Sequence, residues 1–129
     1  MKVESRMQPR TYLRPKQQER AKRECAIVVA REEAGVVRFT VRDAEVIIEW
    51  MELAPERRGW GHGSEAVRLL EEQMAGEGVK RVRALVPVEN GLALYFWLRL
   101  GYLPAAAGDA DWPPTQAADS ITMVRGSDA

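Results

Sequence analysis

The sequence predicts an α/β domain of the α+β type: a mixed, mostly antiparallel twisted sheet of about six or seven strands, flanked by helices. Three observations carry this reading. Val37, Phe39 and Val41 alternate with polar neighbours, and Val82, Ala84, Val86 and Val88 do so again, as strands with one buried face do. Strand-like runs at residues 25–30, 36–42 and 45–53 follow one another across short turns, as in an antiparallel meander. Beyond them strand and helix patterns take turns, which makes the sheet mixed.

Size and composition fit a single domain over residues 1–129. The chain is 46% hydrophobic and 29% charged, ordinary for a globular protein, and its 19 basic residues balance 19 acidic ones. No net field points to nucleic acid or to a membrane. The single Cys25 has no partner for an internal disulfide and indicates a reducing compartment. No apolar stretch approaches the ~20 residues that span a bilayer, and the first residues lack a signal core, so the chain reads as cytoplasmic.

Taken in order, residues 1–23 hold eight Lys/Arg against Glu4 and Glu19. A short strand is expected near residues 2–7. Pro15 suits the first turn of a helix reaching Glu24, with its charges on a solvated face. Residues 25–30 form a strand, 31–35 a turn, and 36–42 and 45–53 two more strands joined at Asp43-Ala44. After a glycine-rich segment, Ala66, Val67, Leu70 and Met74 fall on one side of a helix that Gly76 ends. The Val82–Val88 alternation is the next strand. Asn90 caps a helix over 91–100, ended by Gly101 and apolar almost all round, so expected to be largely buried. Residues 102–105 and 120–125 are the last strands, with a loop carrying Gly108, Trp112, Pro113 and Pro114 between them.

The most informative segment is Arg57-Arg58-Gly59-Trp60-Gly61-His62-Gly63-Ser64. Glycines at alternate positions bare the backbone of a short loop that opens a helix. Its N–H groups and the helix dipole then converge on one small anion. The two arginines beside it suit phosphate, and pyrophosphate is the natural ligand. Gly61-His62-Gly63-Ser64-Glu65-Ala66 also fits a dinucleotide fingerprint, with Glu89 as the ribose acid. That fingerprint needs a tight strand-to-helix turn, whereas residues 54–60 intervene here. A nucleoside-triphosphate P-loop is excluded, since no Lys-Ser/Thr pair follows the glycines.

Arg58-Gly59-Trp60-Gly61-His62-Gly63 matches the R/Q-x-x-G-x-G/A signature of the GNAT acetyltransferase superfamily. Met51-Glu52-Leu53-Ala54-Pro55 looks like the apolar-x-apolar-x-Pro end of that family's fourth strand. Asn90, Ala93, Phe96, Trp97, Gly101 and Tyr102 resemble its N-x-x-A-x-x-F-Y-x-x-x-G-F/Y segment. Both motifs occur in order on matching elements, over residues 36–102 and more loosely the last strand.

The resemblance implies a GNAT-like fold and an acetyl-CoA-dependent N-acyltransferase that moves acetyl directly to a primary amine, with acetyl-CoA as cosubstrate and no metal. The pyrophosphate would lie on Arg58, Gly59, Trp60, Gly61, His62, Gly63 and Ser64. The pantetheine arm would add like a strand to Met51-Glu52-Leu53, at a bulge expected there, flanked by Asn90 and Trp97. His62, the only histidine, stands at a variable position of the motif and is read as exposed rather than catalytic. Glu49 is the first choice of general base and Glu52 the second, ahead of Glu45. Leu85 stands where ribosomal-protein acetyltransferases carry a glutamate, which argues against that subfamily. Trp97 replaces the tyrosine that in many relatives protonates the thiolate; it either packs in the core or meets the cofactor. Tyr95 lies about 200° around the helix and faces elsewhere.

The acceptor is a small-molecule amine or a peptide or protein amine, in a shallow site that a homodimer or the Trp112-Pro113-Pro114 loop would complete. The region before the meander (1–24) is short, with room for one helix where relatives often have two. Two rivals remain: a non-catalytic or regulatory acyl-CoA binder, and a nucleic-acid-binding domain using residues 1–23.

Overall fold

A computed structural model of the chain describes residues 11–18, 21–87, 89–105 and 120–126. Within them the chain runs β1 (Thr11–Gln18), β2 (Lys22–Val29), β3 (Glu32–Arg42), β4 (Glu45–Leu53), a 3-10 turn (Pro55–Arg57), α1 (His62–Gly76), β5 (Arg81–Pro87), α2 (Gly91–Arg99), β6 (Leu103–Pro104) and β7 (Ser120–Gly126). The seven strands form one sheet in the order β1-β2-β3-β4-β5-β7-β6. Only β4 and β5 are parallel, with α1 as their crossover; the other neighbours are antiparallel. The mixed α+β architecture expected from the alternation is therefore the one observed. The strand expected at 2–7, Val88 and the loop with Gly108, Trp112, Pro113 and Pro114 lie outside the described residues.

One sheet face packs against α1. Val67, Leu70 and Met74 meet a layer that includes Cys25, Val37, Phe39, Val46, Ile48 and Ala84, all buried. Burying each large side chain is worth roughly 1.5–3 kcal/mol. Tyr102 closes the core beneath α2. Its ring lies 4.8 Å from that of Trp97, edge to face, and its hydroxyl donates to Glu71 Oε2 at 2.6 Å. Burial, and then the bond to Glu71, push this phenol far above its ordinary range. Burial likewise raises the Cys25 thiol, which is free and enclosed. Among the described residues no helix is long and apolar enough to cross a membrane.

Three local expectations are corrected. The helix expected from Pro15 to Glu24 is instead the β1–β2 hairpin, with Pro15 opposite Cys25 and a bulge before Gln17. Pro15 is tolerated because β1 is an edge strand, where one missing N–H breaks no central ladder. The charges there find partners on other elements: Glu33 of β3 takes Arg14 at 2.9 Å and Lys16 at 3.2 Å, and Arg23 reaches Glu77 at the C-cap of α1 at 3.0 Å.

The turn expected at 31–35 is tighter. Ala30 and Arg31 turn the chain at φ 54° and 69°, and Gly35 lies inside β3, opposite Leu53 of β4. A Cβ on Gly35 would run into the Glu52 carbonyl oxygen and stand only 3.0 Å from Leu53 Cα. Two backbones approach there more closely than any side chain permits.

The third correction concerns α2. Of its residues only Trp97 is buried, while Leu92, Tyr95 and Leu98 are 83%, 59% and 48% exposed. The sheet accepts one face of this helix, and among the described residues no element covers the opposite apolar face.

Candidate functional site

The site begins where the parallel ladder stops. β4 and β5 pair only from Glu45↔Arg81 to Ile48↔Ala84, after which β4 runs on to Leu53 and β5 to Pro87 without pairing to each other. The departure coincides with a bulge. Phe39 faces Ile48 but Arg38 faces Trp50, so Glu49 has no partner across the ladder. The extra residue bends β4 away from its parallel neighbour. The bulge thus sits at Glu49, two residues before the Met51–Leu53 position the resemblance implied.

Backbone direction past the bulge follows from one hydrogen bond. Ala54 N–H donates to Ala34 O at 2.8 Å, toward β3. Successive N–H groups of a strand point to opposite sides, so those of Met51 and Leu53 point into the parting. The Leu53 carbonyl on that side accepts from Arg58 Nε at 3.0 Å. Arg58 thereby spans the strand end and the glycine loop, while Arg57 is tied to Glu32 at 2.8 Å.

The loop itself is a glycine-turned backbone nest. Gly59 and Gly61 both stand at φ 86°, which an L side chain resists, and Gly61 is the N-cap of α1 with no side-chain cap. The first N–H groups of α1, at His62, Gly63 and Ser64, have no acceptor within the helix. A Cβ on Gly63 would meet Phe96 at 3.4 Å and Leu53 at 3.5 Å, so the helix start is seated against both α2 and β4. His62 Nδ1 lies 3.2 Å from Thr11 Oγ1, which ties the nest to β1. Trp60 is 75% exposed.

A cavity of about 780 Å³ fills the parting, within the range of small-molecule and cofactor sites. It gathers Glu49, Met51, Glu52, Leu53, Arg58, Gly59, Asn90 and Trp97 of the residues expected from the sequence. Trp60, Gly61, His62, Gly63 and Ser64 adjoin it at the head of α1 and do not line it. Glu49 Oε1 accepts from Thr40 Oγ1 at 3.1 Å, which orients the carboxylate. Asn90 Oδ1 accepts from Ala93 N–H at 3.0 Å as the cap of α2, leaving its NH₂ as a donor. Trp97 is 6% exposed, edge to face with Phe96 at 5.2 Å, so it both packs in the core and borders the cavity.

The site also uses residues to which the sequence reading gave no role in it. Leu85 and Phe96, noted there only for the family pattern, line the cavity with Trp50, and Thr40 holds Glu49. Thr40 was within reach, since the meander places it opposite Ile47, two residues before Glu49 in β4. Neither Tyr95 nor Tyr102 is among the lining residues: Tyr95 is exposed beneath Arg99, and Tyr102 is spent on Glu71. Among the described residues no group of three or more His, Cys, Asp or Glu could hold a metal ion.

The sequence profile of the acetyltransferase (GNAT) family matches residues 2–102 of this chain. It belongs to that family. No curated protein matches the sequence. Among solved structures, the GNAT fold of this chain is similar to a Bacillus subtilis acetyltransferase in complex with CoA, with TM-score 0.72 and 12% identity, covering 91% of this chain and 99% of that one. It is similar to the PaiA N-acetyltransferase of Thermoplasma acidophilum in complex with coenzyme A, with TM-score 0.69 and 13% identity, over 82% of this chain. The chain spans 61% of that protein's length. Tetrahymena GCN5 matches with TM-score 0.70 at 9% identity, over 84% of this chain and 69% of that one. At such identities the likeness is one of fold.

Proposed function

We propose that this GNAT protein is an acetyl-CoA-dependent N-acetyltransferase that transfers acetyl directly to a primary amine. The observation that carries the reading is the cavity between β4 and β5, which runs from Arg58 and Gly59 of the glycine loop to an oriented carboxylate. The residues present fit coenzyme A. The amides of Gly59, Gly61, His62, Gly63 and Ser64 would hold its diphosphate, with the remaining N–H groups of Arg58 beside them. The Met51 and Leu53 N–H groups would bind the pantetheine amides as an added strand, and the Asn90 NH₂ would flank the arm. Acetyl-CoA supplies the activated acyl group as a thioester.

The acceptor must present a neutral amine. For an amine of pKa ~10.4, deprotonation at pH 7 costs roughly 4–5 kcal/mol, so a base shortens the climb considerably. Glu49 takes that proton, directly or through one water, while Thr40 keeps its carboxylate turned as required. Glu52, exposed on the same strand, is the second candidate. The backbone N–H groups past the bulge polarise the reacting carbonyl. The departing thiolate leaves without a protein acid, which a thiol of pKa ~8.5 tolerates.

That missing acid favours one other reading, a regulatory acyl-CoA binder without catalysis. Acetyl transfer across a panel of amines, read by mass spectrometry, separates the two. Transfer that falls ~10²-fold in Glu49→Gln, with acetyl-CoA affinity unchanged, supports the enzyme and its base. Tight coenzyme A binding with no transfer to any amine supports the binder.

A further inference from the structure

Trp60 stands beside the site without a task in it. Its side chain is more exposed than any other aromatic among the described residues, and it makes no hydrogen bond, ring contact or charge contact with them. An indole is a costly side chain to leave in water. Gly59 and Gly61, both at φ 86°, turn the chain on either side of it. A Cβ on either glycine would meet nothing within 4 Å, so the crest of the loop that lifts the indole is open. The cavity ends at Arg58 and Gly59, and Trp60 follows them outside the lining.

We propose that Trp60 carries the adenine ring of coenzyme A on its face, and so selects a nucleotide-bearing thioester over the same arm without the nucleotide. The inference rests on the coenzyme A reading of the site. Coenzyme A is a linear molecule: the pantetheine arm, then the diphosphate, then the 3′-phosphoadenosine. With the arm in the cavity and the diphosphate on the amides of residues 59–64, the adenosine leaves on the side away from Leu53 and Glu49. Trp60 is the exposed aromatic of the described residues on that loop. Adenine is flat and presents a π-face, so it stacks on an indole with little demand on exact register. The open space around Gly59 and Gly61 leaves the face of the indole free to receive it. A phosphopantetheine thioester held on a carrier protein has the arm and one phosphate but no base, and gains nothing from Trp60.

Isothermal titration of the whole chain, of Trp60→Ala and of Trp60→Phe with coenzyme A, dephospho-coenzyme A and 4′-phosphopantetheine tests this. In Trp60→Ala the affinity for coenzyme A and for dephospho-coenzyme A should each fall at least ~10-fold, while that for 4′-phosphopantetheine stays within ~2-fold of the parent value. Trp60→Phe keeps a stacking face and should retain most of the affinity. Coenzyme A should also quench the indole emission of the parent protein more than that of Trp60→Phe, a readout that needs no turnover. Unchanged coenzyme A affinity in Trp60→Ala overturns the inference alone. So does an equal loss for all three ligands, which would make the side chain a shaper of the loop. A parent protein that binds none of the three overturns the coenzyme A reading, and this inference with it.

Discussion

Replacing Gly35 by alanine should damage both the fold and the site, although the residue belongs to neither the core nor the cavity lining. The new Cβ would collide with the Glu52 carbonyl oxygen and lie 3.0 and 3.1 Å from Leu53 Cα and Glu52 C. Carbon atoms rest at about 3.5–4.0 Å, so β4 must withdraw by about 0.5–1 Å. These are backbone atoms and cannot turn aside as a side-chain tip would. Overpacking of this kind costs about 1–3 kcal/mol, and straining the Ala54–Ala34 hydrogen bond adds about 1 kcal/mol, for a total of about 2–4. At roughly 2.1 cal/mol/K per residue of unfolding entropy, a chain of this size loses about 3–4 °C for each kcal/mol, so Tm should fall by about 7–15 °C. The displaced backbone is the stretch whose N–H groups face the parting, so coenzyme A affinity should drop with it. Differential scanning calorimetry and isothermal titration with coenzyme A measure the two effects. A variant with parental Tm and parental affinity would refute the close-approach argument outright.

Three other outcomes are expected. Gly76→Ala, where an added Cβ meets nothing within 4 Å in the last turn of α1, should raise Tm by about 2–3 °C, since alanine outranks glycine in a helix by about 0.5–1 kcal/mol. Gly61→Ala places a side chain at φ 86°; it should cost about 1–2 kcal/mol and weaken coenzyme A binding at least ~10-fold, measured by denaturant titration and calorimetry. Tyr102→Phe tests the buried phenol through alkaline stability. Unfolded, a tyrosine ionises near its ordinary value of 10.0, whereas the folded group is held protonated far above it. Above pH 10 the unfolded state therefore binds fewer protons, and the parent protein should lose about 1.4 kcal/mol per pH unit that the phenylalanine variant keeps. Parallel alkaline limbs in the two proteins would contradict the assignment.

What the sequence revealed depended on whether neighbours in the chain are neighbours in space. The alternation of Val37, Phe39 and Val41 reports a buried face directly, so the meander and its order were legible. So were the capping by Asn90 and the glycine loop, because their chemistry lies within a few residues. Pro15 with its surrounding charges suited a helix start equally well, and only pairing with Cys25 and the reach to Glu33 decide for a strand. The apolar composition of α2 could not show that Leu92, Tyr95 and Leu98 would stand exposed. The bulge at Glu49 is a matter of register between two strands, and no single strand carries it. Hence Glu49 was named as a carboxylate of interest from its family position, while Thr40, which orients it, was missed.

The short seam between β4 and β5 divides the sheet into two plates, β1 to β4 on one side and β5, β7 and β6 on the other, hinged on four residue pairs. A guest laid along the open part of the seam becomes a missing rung, holding plates that otherwise meet only at one end. Its binding should therefore stiffen the whole molecule, and amide exchange should slow in β5 as well as at the few groups the guest touches.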